Sequence, residues 1–79
     1  MRLDKYLKVS RIIKRRTVAS EACDQGKVML NGKVAKPSSA VKEGDVLEVT
    51  FGERVFRAEI VSIQEHVLKG DASTMYKML

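Results

Sequence analysis

Leu3, Tyr6 and Leu7 recur at the i, i+3, i+4 spacing of a helix that buries one stripe, while Lys5 and Lys8 fall off that stripe. The pattern predicts a first helix over about residues 2–9. Ser10 then opens a basic connector, Ser10-Arg11-Ile12-Ile13-Lys14-Arg15-Arg16, in which Ile12 and Ile13 can pin the chain to a core while Arg11 and Lys14 to Arg16 face water. Thr17 suits the N-cap of a second helix through Val18, Ala19, Ala22 and Cys23, and Gly26 suits a left-handed cap at its end. Ala19, Ala22 and Cys23 are small, which permits close helix packing.

Beyond Gly26 the periodicity changes from helical to alternating. In Lys27-Val28-Met29-Leu30-Asn31-Gly32-Lys33-Val34-Ala35, Asn-Gly separates two short runs with apolar residues, the strongest short-range hairpin signal, since both turn positions need positive φ. Pro37-Ser38-Ser39 reads as a loop and Gly44-Asp45 as a turn. Val46–Phe51 alternates as a half-buried strand with Leu47, Val49 and Phe51 on one face, and Gly52-Glu53 turns the chain again. Val55–Ile63 completes a small antiparallel sheet, with Val55 and Phe56 read as core. Its apolar parity moves from Phe56, Ala58 and Ile60 to Val61 and Ile63, as a bulge would make it. Asp71 suits the cap of a short C-terminal helix carrying Ala72, Met75, Tyr76 and Leu79. That stripe stops in mid-pattern, so the natural chain is expected to run past Leu79. The order α-α-β-β-β-β-α predicts an α+β fold, with two N-terminal helices packed on a small antiparallel sheet and a short C-terminal helix. The expected division is a domain over 1–63 and a C-terminal extension over 64–79 that packs on it.

At 79 residues the chain allows one small domain, and a deep enclosed substrate cavity is not expected at this size. One cysteine, Cys23, makes no internal disulfide, and one histidine, His66, leaves no pair of good ligands for zinc, so neither a metal nor another cofactor is expected. Cys23 reads as a small core residue and His66 as a surface residue. No apolar run approaches the roughly 20 residues that span a bilayer, and a reduced, cytoplasmic setting is the simplest expectation. No paired-carboxylate cleft, Gly-rich phosphate loop or Cys/His or Ser/His arrangement can be placed, which argues against an enzyme.

Charge changes the picture most. Residues 1–16 hold seven basic side chains (Arg2, Lys5, Lys8, Arg11, Lys14, Arg15, Arg16) against Asp4 alone, whereas the remainder holds eight basic and nine acidic ones. The whole positive excess, a formal +5, therefore sits in the first fifth of the chain. Clustered cations are rewarded by phosphates spaced along a backbone, through counterion release, so a nucleic acid is the leading partner. An anionic membrane is the rival, but the basic segment lacks the Trp/Phe/Leu-rich face of an interfacial helix. Arg2, Arg15 and Arg16 can each fork two N–H groups onto one phosphate or a base edge. Lys5, Lys8 and Lys14 act as mobile point charges, with Arg11 beside them. Asp4 either orients a neighbouring arginine or caps the first helix turn. Lys33, at the hairpin tip, is a further candidate contact.

These residues also carry a resemblance. Arg2-Leu3-Asp4-x-x-Leu7, then Arg15-Arg16-Thr17-x-Ala19, then Gly26-x-Val28-x-Leu30-Asn31-Gly32, then Gly44-Asp45 together resemble the RNA-binding domain named after ribosomal small-subunit protein four, here the S-four domain. The likeness covers about residues 2–51 and implies that both helices and the hairpin form a basic face for structured RNA. The opening Met1 to Arg11, followed by Ile12-Ile13-Lys14-Arg15-Arg16-Thr17, is similar to the RqcP family, stand-alone ribosome quality-control factors related to heat-shock protein fifteen. Asp24-Gln25-Gly26 and Met75-Tyr76 agree with it, while Gly52–Gly70 is generic. The resemblance implies a monomer that binds the large ribosomal subunit obstructed by peptidyl-tRNA. It would contact ribosomal RNA and the tRNA, and help RqcH add C-terminal alanines to the stalled peptide. A heat-shock type factor that repositions peptidyl-tRNA without tailing is the alternative.

Overall fold

The computed structural model describes all 79 residues, and its first element, helix α1 (Leu3–Val9), buries Leu3, Asp4, Tyr6 and Leu7. A helix start leaves its first N–H groups without intrahelical acceptors. Here no side chain from the preceding residue caps them. The 37–41 loop does so instead: the Leu3 and Asp4 amides donate to the Ser39 and Pro37 carbonyls at 2.8 and 3.1 Å, and the Val41 amide donates to the Met1 carbonyl at 3.0 Å. Pro37-Ser38-Ser39 thus anchors the amino terminus.

At the far end of α1, Arg11 takes φ 63°, the left-handed position after a helix where glycine is usual. Its amide donates to the Lys8 carbonyl at 3.1 Å, and the Ile13 amide donates to the Leu7 carbonyl at 3.1 Å. The connector then lies as its pattern predicts, with Ile13 buried, Ile12 half-buried and Arg11, Lys14 and Arg15 exposed.

Helix α2 spans Arg16–Asp24, so the expected Thr17 cap is corrected. Arg15, extended at φ −118° and ψ 132°, is the N-cap residue, and the Ala19 amide donates to its carbonyl at 3.0 Å. The chain leaves the Ile13 anchor extended and turns helical at the arginine pair, because Asp4 of α1 already holds Arg16 there. Gly26, at φ 75°, ends the helix as expected.

Strands β1 (Val28–Leu30) and β2 (Lys33–Val34) form the hairpin, with Asn31 and Gly32 at φ 52° and 82°. Strands β3 (Val46–Phe51) and β4 (Arg54–Ile60) pair antiparallel, and β1 lies against β3 with Val28 opposite Val49. Leu47, Val49, Ala58 and Ile60 are buried, but Phe51 and Val55, beside the turn that joins β3 to β4, are exposed. The reading of Val55 as core is corrected accordingly. The strand also stops at Ile60 rather than Ile63: the Val61 and Ser62 amides turn to the Met75 carbonyl at 2.9 and 3.1 Å. The parity shift records the chain leaving the sheet, not a bulge.

The C-terminal helix is a short 3-10 helix, Lys69–Met75, that buries Ala72 and Met75. Tyr76 and Leu79 do not extend it. Tyr76–Met78 forms strand β5 on the open edge of β4, with Ile60 opposite Tyr76, giving the order β2-β1-β3-β4-β5. Phe56 meets Tyr76 edge to face at 5.7 Å. The core joins Leu3, Tyr6 and Leu7 of α1 to Ala19 and Cys23 of α2, to Val28, Leu47, Val49 and Ile60 of the sheet, and to Met75. The Tyr6 hydroxyl donates to the Met75 carbonyl at 2.7 Å, tying the helix that carries the basic face to the C-terminal segment.

Candidate nucleic-acid interface

Asp4 organises the amino-terminal cations. It is buried, yet Arg2 Nε and Nη2 donate to its two carboxylate oxygens at 3.2 Å each, the Lys5 amide donates to Oδ1 at 2.8 Å, and Arg16 Nη2 lies 3.4 Å from Oδ1. It performs both roles the sequence left open, satisfying a first-turn amide and orienting two arginines, Arg2 just before α1 and Arg16 at the start of α2. Burial alone would raise its pKa, but the Arg16 guanidinium, the Lys5 amide and Arg2 together hold the carboxyl below its ordinary value. The Arg2 and Arg16 side chains remain about half exposed, at 54% and 47%, so each still presents N–H groups to water.

Arg15 and Arg16 occupy the start of α2, whose first turn holds no acid. Cations at the positive end of a helix dipole are unfavourable, and the unpaired amides there favour an anion. Asp4 offsets part of this from within the fold, and a phosphate approaching from solvent would offset the rest.

A second set of cations lines a groove of about 280 Å³. Lys5, Lys8, Arg11 and Lys14 form one side, and Glu65, His66 and Val67 the other. The Lys5 ammonium pairs with the Glu65 carboxylate. Lys5 chiefly, then the amino terminus and His66, keeps Glu65 below its ordinary pKa.

A model of the S4 domain matches residues 1–47, the stretch that contains α1, the connector, α2 and the hairpin. The chain is 54% identical over 78 residues to the RQC P-site tRNA stabilizing factor of Halalkalibacterium halodurans, covering 99% of this chain and 89% of that one. The factor of the same name from Listeria innocua is 51% identical over 79 residues, covering 100% of this chain and 86% of that one. The chain belongs to the S4-domain family of RQC P-site tRNA stabilizing factors. Among solved structures, the trimeric structure of Vibrio cholerae Heat Shock Protein 15 superposes with a TM-score of 0.93 at 31% identity, covering all of this chain and 81% of that one.

Within this S4-domain protein the candidate residues divide into three places. Arg2, Asp4, Arg15 and Arg16 gather where α1 and α2 begin, and Lys5, Lys8, Arg11 and Lys14 line the groove. Lys33 stands apart, exposed on the edge strand β2 opposite Leu30, and lines neither the groove nor the Asp4 cluster. Asn31, two residues before it in the turn, is exposed but bonded: its side-chain amide donates to Asp45 Oδ1 at 3.1 Å and its side-chain oxygen accepts from the Val46 amide at 2.9 Å, so the Asn-Gly turn and the Gly44-Asp45 turn lock together. Glu65 and His66 lie outside the matched stretch and are residues that sequence reasoning missed as parts of the basic face. No periodicity signals them, since the Lys5–Glu65 pair spans sixty positions.

Cys23 is buried in the core, as expected, and burial first, then Asp4 and Asp24, pushes its thiol up to about 11, which leaves it a poor nucleophile. No group of three or more His, Cys, Asp or Glu residues could hold a metal ion. No helix is long and apolar enough to cross a membrane.

Proposed function

We propose that this protein is a non-catalytic RNA-binding factor that engages the large ribosomal subunit obstructed by peptidyl-tRNA, contacting ribosomal RNA and the tRNA. In this reading it supports RqcH-dependent alanine tailing of the stalled peptide and acts as a cytoplasmic monomer. The observation that carries the proposal is the Asp4-centred array, in which one buried carboxylate holds two half-exposed guanidiniums, one from the residue just before α1 and one from the start of α2. The name borne by relatives at about half identity supports the P-site tRNA as the object held.

Arg2, Arg15 and Arg16 set register on the RNA backbone, because a guanidinium matches a phosphate with two parallel N–H groups in a fixed plane. Lys5, Lys8, Arg11 and Lys14 add affinity, Lys33 extends the contact along the hairpin, and Asp4 acts by positioning. Tyr6 is buried and Phe56 and Tyr76 pack on each other, so base stacking has little to use apart from Phe51. Recognition then rests on phosphate geometry and RNA shape. If about five phosphates are neutralised, log K falls against log salt with a slope of roughly −3.5 to −4.5.

The test is sedimentation through sucrose of wild type and Arg16→Ala with empty large subunits, with large subunits bearing peptidyl-tRNA, and with anionic vesicles. Selective co-sedimentation with obstructed subunits, abolished by the substitution, is expected. Equal binding to all three, untouched by Arg16→Ala, would reduce the cluster to a nonspecific polycation. The heat-shock type reading, which the likeness to Vibrio cholerae Heat Shock Protein 15 favours, differs in outcome. It predicts binding to obstructed subunits without stimulation of alanine addition when RqcH and alanyl-tRNA are supplied.

A further inference from the structure

We propose that the groove between α1, the connector and residues 65–67 is a second site for an RNA backbone phosphate, occupied in the free protein by the Glu65 carboxylate, which the incoming phosphate displaces from Lys5. The inference rests on the RNA-binding reading above and adds a site and an internal competitor to it.

Four cations converge on this groove, and Glu65 is the one acid lining it. Lys8, Arg11 and Lys14 make no ion pair in the structure, so their charge is uncompensated, and only Lys5 is neutralised. A carboxylate presents the same anionic oxygen acceptors to an ammonium that a phosphate does. The pair is also easily broken. Lys5 and Glu65 side chains are 36% and 64% exposed, and ion pairs in water contribute little because solvent replaces either partner. Asp4 differs in both respects: it is buried, and it is held by several donors.

Arg11 supplies an independent observation. A non-glycine residue at φ 63° stores backbone strain at a position where glycine would relax it, and such strain concentrates at functional sites. What arginine adds there is a guanidinium on the groove. Glu65 then acts as a selectivity device: a polyanion gains the groove only by placing a phosphate where Glu65 sits, so weak, poorly registered contacts gain less than a fitted backbone does.

The test measures binding of full-length protein to purified deacylated tRNA between about 50 and about 200 mM KCl, for wild type, Lys5→Ala, Glu65→Gln, the double variant and Arg16→Ala. Both proteins place the phosphate on Lys5 in the complex, so their log–log salt slopes should match, and Glu65→Gln, which has no exposed ion pair to break, is expected to bind about two- to fivefold tighter than wild type across the range. In the Lys5→Ala background the Glu65→Gln gain is expected to vanish. A Glu65→Gln protein that binds no tighter overturns the proposal, as does a gain of equal size with and without Lys5, which would be a general charge effect. Wild-type binding that Arg16→Ala weakens while Glu65→Gln leaves it unchanged overturns this site alone. Absence of wild-type binding to both tRNA and obstructed subunits overturns the RNA-binding reading and this site with it. Both exposed side chains are replaceable without loss of fold, which unchanged melting temperatures verify.

Discussion

Replacing Asp4 with asparagine separates geometry from net charge. The substitution keeps an acceptor for the Lys5 amide but removes the charge that holds Arg2 at 3.2 Å and Arg16 at 3.4 Å. Hydrogen bonds to charged groups contribute about 1.5–3 kcal/mol each when well enclosed. Both guanidiniums are half in water, which discounts them steeply, so the loss should total about 1–2 kcal/mol. For a domain of this size that lowers Tm by roughly 5 to 15 °C. The pH dependence follows from the depressed carboxyl. Its stabilisation is complete above the ordinary value of 3.8 and is lost as pH falls through the lower folded value. Thermal melts of wild type and Asp4→Asn should therefore differ at pH 7 and converge in acid below pH 3.8. For RNA the two accounts disagree in sign. A simple sum of charge raises the net value from +5 to +6 and tightens binding. Positioning predicts weaker binding, by roughly fivefold for about 1 kcal/mol of lost orientation. Asp4→Asn binding tRNA more tightly than wild type, or a stability gap that persists unchanged in acid, would refute the role assigned to Asp4.

Arg11→Gly should relieve the left-handed strain at φ 63° and stabilise the fold by up to about 1 kcal/mol while weakening RNA binding, which melting and the same titration would show together. Loss of both stability and affinity would contradict the strain assignment. Asn31→Ala breaks the bridge to Asp45 and Val46 and removes a residue suited to positive φ, so urea unfolding should report a loss of about 1–3 kcal/mol. Tyr6→Phe should lose only about 0.5–1.5 kcal/mol, because the Met75 carbonyl keeps the Val61 and Ser62 amides as donors. Met75→Ala, by contrast, empties a fully buried site and should lose about 2–5 kcal/mol. Cys23 should react with a disulfide reagent at pH 8 far more slowly in the native protein than in urea, given its burial and a thiol pushed to about 11. Equal rates would contradict its placement in the core.

What was legible in the sequence is what local physics decides. The stripe Leu3, Tyr6, Leu7 needs only helical periodicity, and Asn31-Gly32 needs only a backbone that tolerates positive φ, so both elements fall where the pattern places them. Ala72 and Met75 likewise mark a short helix correctly. Strand β5 was not legible, because Tyr76–Met78 has no alternation of its own and is extended only to pair with the open edge of β4. The start of α2 escaped for a similar reason: Thr17 is the better cap by local preference, but the anchors on either side, Ile13 in the core and Arg16 on Asp4, set the turn two residues earlier. Within the basic face, the charge was readable as a count but its partition was not. Asp4 and Glu65 are both acids among cations, and only the fold distinguishes the buried organiser from the exposed neighbour of Lys5.

That distinction bears on how a domain this small can be selective for one RNA arrangement. Seven cations in sixteen residues attract any polyanion at a distance, and such attraction carries no information about shape. Selectivity has to come from directions, and directions require side chains whose freedom is already spent before the RNA arrives. In this chain the two guanidiniums on Asp4 are held that way from beneath, while Lys8 and Lys14 project from an exposed surface without partners. The helix that follows Arg2 and carries Asp4 and Lys5 is itself fixed by the Pro37 and Ser39 carbonyls at its start and by Tyr6 on the Met75 carbonyl below. A substitution that loosens the C-terminal segment should therefore blur RNA discrimination before it abolishes RNA binding. Met75→Ala at a temperature where it remains folded should lower the preference for obstructed over empty large subunits while leaving the salt slope, which counts phosphates and not their arrangement, nearly unchanged. A parallel fall in slope and preference would mean that the tail contributes charge contacts directly, and would move the source of selectivity away from the preorganised arginines.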